Sequence, residues 1–295
     1  QEQRRGQQVV VARSLADGAE LWRDAQDGAY YSNLAGDGPR ATPYVHGGLV
    51  YTCGPFGRLT CLDGRDGAVV WTKDLREMYG LTKEREQKLI SYGRAASPIV
   101  HDGRLIVAAG GDLEGKSAGL VAFDHRTGAL LWEGPPRQLS YASPNVVTLA
   151  GRPQVVVTNE DTVSGHAPSS GELLWEHPWP GSSSTAANNS QPTPVGEDRV
   201  LISKGYGQGS ALLRLVPAGS DRLSVEVVWK SRRALRTKFT NPVVHGEHVY
   251  ALSDGILECV ALASGERVWR KGRYGHGQVL LVGSGAEAVL LVLAE

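Results

Sequence analysis

Leu62-Asp-Gly-Arg-Asp-Gly-Ala-Val-Val-Trp71 holds a polar turn, then Gly67, then a short apolar run that ends on Trp71 four residues later. The same arrangement returns as Gly18-Ala-Glu-Leu-Trp22, Gly128-Ala-Leu-Leu-Trp132, Gly171-Glu-Leu-Leu-Trp175 and Gly265-Glu-Arg-Val-Trp269. A further copy, Val225-Glu-Val-Val-Trp229, keeps the apolar run and loses the glycine. Successive tryptophans of the set stand 40 to 61 residues apart, a period that fits a repeated four-stranded unit with loops of variable length.

A second pattern alternates with the first. Thr42-Pro-Tyr-Val-His-Gly-Gly-Leu-Val-Tyr51 recurs as Ser97-Pro-Ile-Val-His-Asp-Gly-Arg-Leu-Ile106, and again around Ser143-Pro144, Thr193-Pro194 and Asn241-Pro242. Each copy reads as proline at a strand start, where its missing N–H is tolerated, then a tight Gly-bearing hairpin. A third strand follows, as in Arg58-Leu-Thr-Cys-Leu62 or Gly119-Leu-Val-Ala-Phe123, and the Trp strand closes the unit. Strands A to D in antiparallel order predict an all-β chain, a β-propeller of four-stranded blades in one domain over residues 1–295. Five blades are complete, at roughly 42–71, 97–132, 143–175, 193–229 and 241–269. Residues 7–22 supply strands C and D and residues 277–293 strands A and B, so the chain makes six blades if its ends close on each other. It is part of a seven- or eight-bladed ring if it is a segment, the reading preferred here. The expected helix is confined to the charged stretch Leu81 to Ile90.

Composition narrows the function. Lys+Arg and Asp+Glu both total 31, which argues against a nucleic-acid binder. No apolar run approaches the roughly 18 residues of a membrane-spanning helix. The chain opens on Gln1-Glu-Gln-Arg-Arg, with no Met and no signal-type apolar region behind it. Three cysteines make no disulfide framework; Cys53 and Cys61 flank one hairpin and are read as buried free thiols. His46, His101 and His245 share one turn position, one per blade, and are too dispersed for a metal. The repeated Gly and Trp positions are read as packing, because chemistry rarely needs one residue identically in every blade.

Leu62-Asp-Gly-Arg-Asp-Gly-Ala-Val-Val-Trp71 and Phe123-Asp-His-Arg-Thr-Gly-Ala-Leu-Leu-Trp132 resemble the PQQ-like (pyrroloquinoline quinone) repeat, and the likeness runs through nearly the whole chain. That repeat occurs in quinoprotein alcohol dehydrogenases, in the propeller lipoprotein of the outer-membrane assembly machinery and in bacterial PQQ-binding-like propellers. The turn Asp stands at Asp63 and Asp124 and is replaced by Ser14, Ala167 and Ala261, so those turns are expected to be weaker. The resemblance implies either a quinone-dependent dehydrogenase or a non-catalytic scaffold, and an extracytoplasmic, periplasmic setting. Quinoprotein dehydrogenases carry a vicinal cysteine pair, an acidic calcium site and a catalytic Asp. This chain has no adjacent cysteines and few acids before its Pro motifs, so the scaffold reading is preferred, with no quinone cofactor, no metal and no catalytic residues.

If D–A connections lie on one face, so do the B–C turns, and the long connections 72–96, 133–142, 176–192 and 230–240 gather there. The residues just before each strand A are then expected around a channel mouth: Arg40, Tyr92, Arg94, Tyr141, Asn189, Gln191, Lys238, Phe239, Tyr274 and His276. This set is basic and aromatic and holds no carboxylate. It suits a protein or peptide partner with an acidic segment, or a small anionic ligand. The alternative pairs each cation with a loop acid such as Asp37 or Glu133 and tucks each Tyr under its own loop.

Overall fold

The structure, a computed structural model, describes residues 1–32, 36–219 and 221–295. Five four-stranded antiparallel sheets follow the chain in order, at 44–74, 99–133, 145–178, 193–231 and 243–271. In each, the strand order in the sheet is the order in sequence, with the Trp strand at one edge. This is the blade of a β-propeller. The contacts divide the chain into two compact units, residues 1–144 with 168–172 and 182–185, and residues 145–167, 173–181 and 186–295.

The first unit's core lies between the 44–74 and 99–133 blades, where Tyr51, Leu59, Leu105 and Phe123 are fully buried. The second unit holds one core around Leu149, Val156, Val200 and Leu213, and another around Leu201, Leu212, Val249 and Val260. Apart from Leu149, which ends a strand A, these are strand B and C residues. The period-two pattern of the sequence is least visible there, because sheets buried on both faces read as continuous apolar runs.

The Gly and Trp of the repeat belong to one joint. Trp22 Nε1 donates to the Gly64 carbonyl at 2.9 Å, Trp71 to His125 at 3.2 Å, Trp132 to Pro168 at 3.1 Å and Trp229 to Leu262 at 2.8 Å. In every case the acceptor stands three residues before the repeat glycine of the following C–D turn. A Cβ on that glycine would fall 2.6 Å from the Trp22 ring at Gly67, 2.8 Å from Trp71 at Gly128, 2.4 Å from Trp132 at Gly171 and 2.6 Å from Trp229 at Gly265. All four glycines have φ between 69° and 76°. The glycine is therefore required twice, by backbone conformation and by the indole lying on it. Where Ser14 and Ala261 replace the turn Asp, the backbone bond to the glycine N–H persists at 2.9 Å, and Ser14 Oγ accepts from Ala16 N.

The blade without the glycine solves the joint differently. Its C and D strands, Gly209–Ala218 and Arg222–Ser231, run ten residues each. Leu215, Leu223 and Val225 of this long hairpin share a cluster with Trp175, whose Nε1 bonds Gln154 Oε1 at 2.6 Å.

Each C–D pairing also carries a β-bulge directly after the residue facing the tryptophan, as between Cys61 and Leu62 or Ala122 and Phe123. The bulge lets two successive apolar residues face solvent, as at Val69 and Val70 or Leu130 and Leu131. It also bends the outer edge away from straight pairing.

Several expectations need correction. Residues 1–27 make a three-stranded sheet, because Glu2–Arg4 pairs with the open side of Gln7–Arg13. Gln278–Val282 and Val289–Leu293 pair as the two strands expected over 277–293. The expected helix stands as α2 over Lys83–Leu89, and a second, α1 over Leu75–Met78, precedes it.

Candidate functional site

The insertion after the 44–74 blade builds the best-defined surface of the first unit. Asp74 caps α1 by accepting from Arg76 N and Glu77 N, and Thr82 Oγ1 caps α2 by accepting from Arg85 N. Arg85 then reaches Asp112 across the 112–116 turn at 2.9 Å. The inner side of α2 carries Glu86, which is buried and paired at 2.8 Å with Arg94. Arg94 Nη1 also donates to the Ala109 carbonyl, and its backbone N–H donates to Pro55 O at 2.9 Å. Arg94 is therefore a pin holding α2, the 104–111 strand and the 54–57 turn, and with 2 % exposure it cannot meet a ligand. This corrects two expectations. Arg94 is not a mouth residue, and the basic set does have a carboxylate, Glu86, rather than Asp37 or Glu133. Glu133 instead accepts from Tyr79 Oη at 2.8 Å.

With the turn pinned, Phe56 projects from it. Its ring lies 5.5 Å from Tyr30, and Lys83 Nζ stands 5.7 Å from its centroid. Tyr30 is buried, with its hydroxyl donating to Ser91 O at 2.7 Å and the Arg40 guanidinium 5.1 Å from its ring. Gly93 closes the other side of Tyr30, since a Cβ there would lie 2.8 Å from the ring. Two concavities adjoin Phe56. One, of about 290 Å³, is lined by Tyr30, Tyr31, Pro55, Lys83, Gln87 and Ile90 among others. The second, of about 370 Å³, shares Ala29, Phe56 and Lys83 with it and continues to Gln8, Gln26, Arg58 and Arg76. Lys83, Glu86, Gln87 and Ile90 follow the i, i+3, i+4, i+7 face of α2, which is why one short helix furnishes a whole wall.

Tyr92 and Tyr141 are brought together, with rings 5.7 Å apart, and the Tyr92 N–H donates to the Tyr141 hydroxyl at 3.2 Å. Their hydroxyls donate to Ser184 O at 2.9 Å and Ser183 O at 2.5 Å, which fixes the serine segment.

The remaining members lie in the second unit. Gln191 and Asn241 exchange bonds at 2.8 and 3.1 Å, and Lys238 lies 5.3 Å from the Tyr206 ring. Phe239, 55 % exposed, meets His276 edge-on at 5.6 Å, and the His276 N–H donates to Glu295 at 2.8 Å. Asn189 bonds the Ala187 carbonyl at 3.5 Å, and the Tyr274 N–H bonds Gly255 O at 2.8 Å. These are pairs within one loop or between neighbouring loops.

The same unit buries Lys204, whose ammonium donates to Pro180 O at 2.7 Å and whose pKa burial pushes down to about 8. Trp179, outside the repeat, is only 1 % exposed and belongs to the core.

Among the described residues no three His, Cys, Asp or Glu side chains are grouped to hold a metal ion. Cys53, Cys61 and Cys259 are buried free thiols. Cys61 faces Tyr51 and Cys53 faces Leu59, so these two are diagonal neighbours, roughly 7–8 Å apart and beyond ordinary disulfide reach. Burial raises both thiols to about 11, so neither supplies a thiolate near neutral pH. His125, missed in sequence, packs 5.6 Å from His46 and shares a hydrogen bond between its Nδ1 and Tyr51 Oη at 2.8 Å.

Sheets of four strands, the tryptophan–glycine joint and the Asp-bearing turn define a propeller of the PQQ-type repeat class. A family model described as outer membrane protein assembly factor BamB matches residues 6–271, and the chain belongs to that family. Among solved structures, BamB from Moraxella catarrhalis superposes with a TM-score of 0.59 at 16 % identity, covering 97 % of this chain and 76 % of that one. Dihydro-heme d1 dehydrogenase NirN gives 0.59 at 15 % identity, with 97 % and 56 % covered. Both show the fold alone. The 1-butanol dehydrogenase (cytochrome c) of Thauera butanivorans is 33 % identical over 119 residues, 40 % of this chain. The quinohemoprotein alcohol dehydrogenase ADH-IIG of Pseudomonas putida is 34 % identical over 119 residues. The chain spans about 15 % of the length of these curated relatives. No helix among the described residues is long and apolar enough to cross a membrane.

Proposed function

We propose that this chain is a non-catalytic, extracytoplasmic binding scaffold that takes a protein partner on its long-connection face and carries no quinone. The observation that supports this best is the built surface around Phe56. A buried ion pair pins a helix and a turn so that an aromatic ring and a lysine stand beside two concavities. Rigid elements carrying a half-buried aromatic and adjacent cations are the anatomy of a recognition surface. Membership in the BamB family is consistent with a role in an assembly.

The test has two arms. A photo-crosslinking amino acid is placed at Tyr31, on the long-connection side, and at Arg126, in a C–D turn, in cells of the source organism. The purified chain is separately titrated with PQQ and Ca²⁺ and assayed for dye-linked alcohol oxidation. The scaffold reading expects a discrete protein adduct from position 31, none from position 126, and no dye reduction. Quinone-dependent turnover would overturn it.

A further inference from the structure

We infer that the basic surface where the 230–240 and 271–277 connections meet the 253–255 turn is a binding site for a phosphate monoester group, held by Arg233, Arg267 and Arg270. The site lies wholly in the second unit and does not depend on the partner surface around Phe56. Residues 230–240 and 267–277 hold nine Lys or Arg and no Asp or Glu, in a chain whose net charge is zero. The fold brings the two stretches together. Arg267 Nη2 donates to the Arg233 carbonyl at 3.0 Å. The 253–255 turn bridges them, with the Asp254 N–H donating to Arg236 O at 3.0 Å and the Tyr274 N–H to Gly255 O at 2.8 Å.

Charge selects the ligand. Glu258, directly opposite Arg270 in the sheet, is fully buried and accepts from the Leu235 N–H and from Arg267 Nε at 3.0 Å, with Arg270 Nε at 4.0 Å. The other acids nearby are engaged or turned elsewhere. Asp254 pairs with Arg236 at 3.0 Å, and Glu295 accepts from the His276 N–H at 2.8 Å. Glu266, beside Arg267 in sequence, precedes the strand and makes no ion pair among the described residues. Arg233 is exposed and likewise makes none. Three guanidinium groups therefore share the one Glu258 carboxylate, a surplus of two positive charges. That surplus matches the charge of a phosphate monoester, about −1.5 to −2 at neutral pH, and exceeds that of one carboxylate. Geometry adds to charge. Glu258 and the Ser253 carbonyl, which accepts from Arg270 Nη2 at 3.1 Å, hold the Nε and Nη2 side of Arg270, while Glu258 and Arg233 O hold that side of Arg267. Nη1 of each makes no bond among the described residues, and the two side chains remain 39 % and 28 % exposed. Donors fixed before the ligand arrives lose less entropy on binding. The open fork of Arg233 adds paired donors for two phosphate oxygens.

The probe is phenyl phosphate, titrated calorimetrically into the full chain, with benzoate and methyl phenyl phosphate as singly charged comparisons. Phenyl phosphate is expected to bind roughly tenfold tighter than either, and more weakly as salt is added. Arg270→Gln leaves Glu258 its Leu235 and Arg267 partners, and Arg233→Glu changes an exposed side chain, so both variants should keep the urea midpoint of the natural chain. Each is expected to lose roughly fivefold or more in affinity for phenyl phosphate, while Arg222→Glu, in the exposed turn of the long hairpin, binds as the natural chain does. Sedimentation with phosphatidylcholine vesicles carrying phosphatidic acid, or phosphatidylglycerol at equal charge, identifies the source of the group. Sedimentation with phosphatidic acid alone assigns the site to a lipid headgroup ending in a monoester; phenyl phosphate binding without sedimentation assigns it to a soluble ester. Benzoate bound as tightly as phenyl phosphate, equal sedimentation with phosphatidylglycerol, no binding of any phosphate probe, or unchanged affinity in both arginine variants overturns the inference.

Discussion

Gly128→Ala and Gly18→Ala are the same substitution in the same turn, at φ 69° and 73°, and the structure expects them to differ severalfold in effect. In both, an L-residue is forced into the left-handed region, which costs about 1–2 kcal/mol. Alanine's stiffer unfolded chain returns about 0.4–1 kcal/mol. That leaves about 1 kcal/mol at Gly18, where a Cβ would meet nothing within 4 Å. At Gly128 the new methyl would sit 2.8 Å from Trp71 Cδ2 and 3.1 Å from its Cγ. The indole cannot slide freely, because its N–H is bonded to His125 O and its ring packs on Phe123 at 6.4 Å. Overpacking of this kind adds about 1–3 kcal/mol. Gly128→Ala is therefore expected to cost about 2–4 kcal/mol. Both sites lie in the same compact unit, so urea unfolding followed by far-UV circular dichroism compares them directly. In a Trp71→Ala background the excess at Gly128 should vanish, as a double-mutant cycle would report. Losses within about 0.5 kcal/mol of each other in the natural background would refute the joint.

Arg94→Ala strands the buried Glu86 carboxylate and is expected to cost about 3–5 kcal/mol, while Arg94→Met with Glu86→Leu restores most of it; urea midpoints decide. Trp179→Ala is expected to cost about 3–5 kcal/mol, comparable to Trp132→Ala, whereas Trp269, 39 % exposed, should cost less than half as much in the same assay. Lys204 sits near 8 when folded and near its ordinary 10.5 when unfolded. Between those values the unfolded chain binds the extra proton, so this group's contribution to stability rises with pH, by about 3 kcal/mol across the window. Below pH 8 both states are protonated and the contribution is flat. The difference in unfolding free energy between the natural chain and Lys204→Met should grow in this way from pH 8 to 10.5, and a pH-independent difference would contradict the assignment.

The blades were legible in the sequence because their Trp, Gly and Pro marks are local and repeated. What stayed hidden is tertiary. Glu2–Arg4 has no strand-like composition and pairs only because the adjacent strand offers an unfilled side. Val69-Val70 and Leu130-Leu131 break strict alternation, and that doubling was the readable sign of the bulge beside each tryptophan. Arg94 looked like a free mouth cation because its partner Glu86 lies inside a helix that reads as uniformly charged and solvated. Phe56 and Lys83 were passed over for the same reason: nothing in a Gly-Pro-Phe-Gly turn or a Lys-Glu-Arg helix announces that a buried pin will set them against each other. Trp179 falls outside the repeat register, and burial does not follow register alone.

The long hairpin of the 193–231 blade bears on how such a chain can be recombined. Each ordinary blade carries a plug, its tryptophan, and a seat, its turn glycine, so blades of this kind are interchangeable parts that any neighbour can accept. The 193–231 blade has kept its plug, Trp229, but exchanged the seat for Leu215, Leu223 and Val225, which are shaped to Trp175 and its Gln154 bond. A duplicated or transplanted blade could be inserted before any other position and find its socket. Before this one it would need to bring the 145–178 blade with it, so these two blades are a single unit of inheritance.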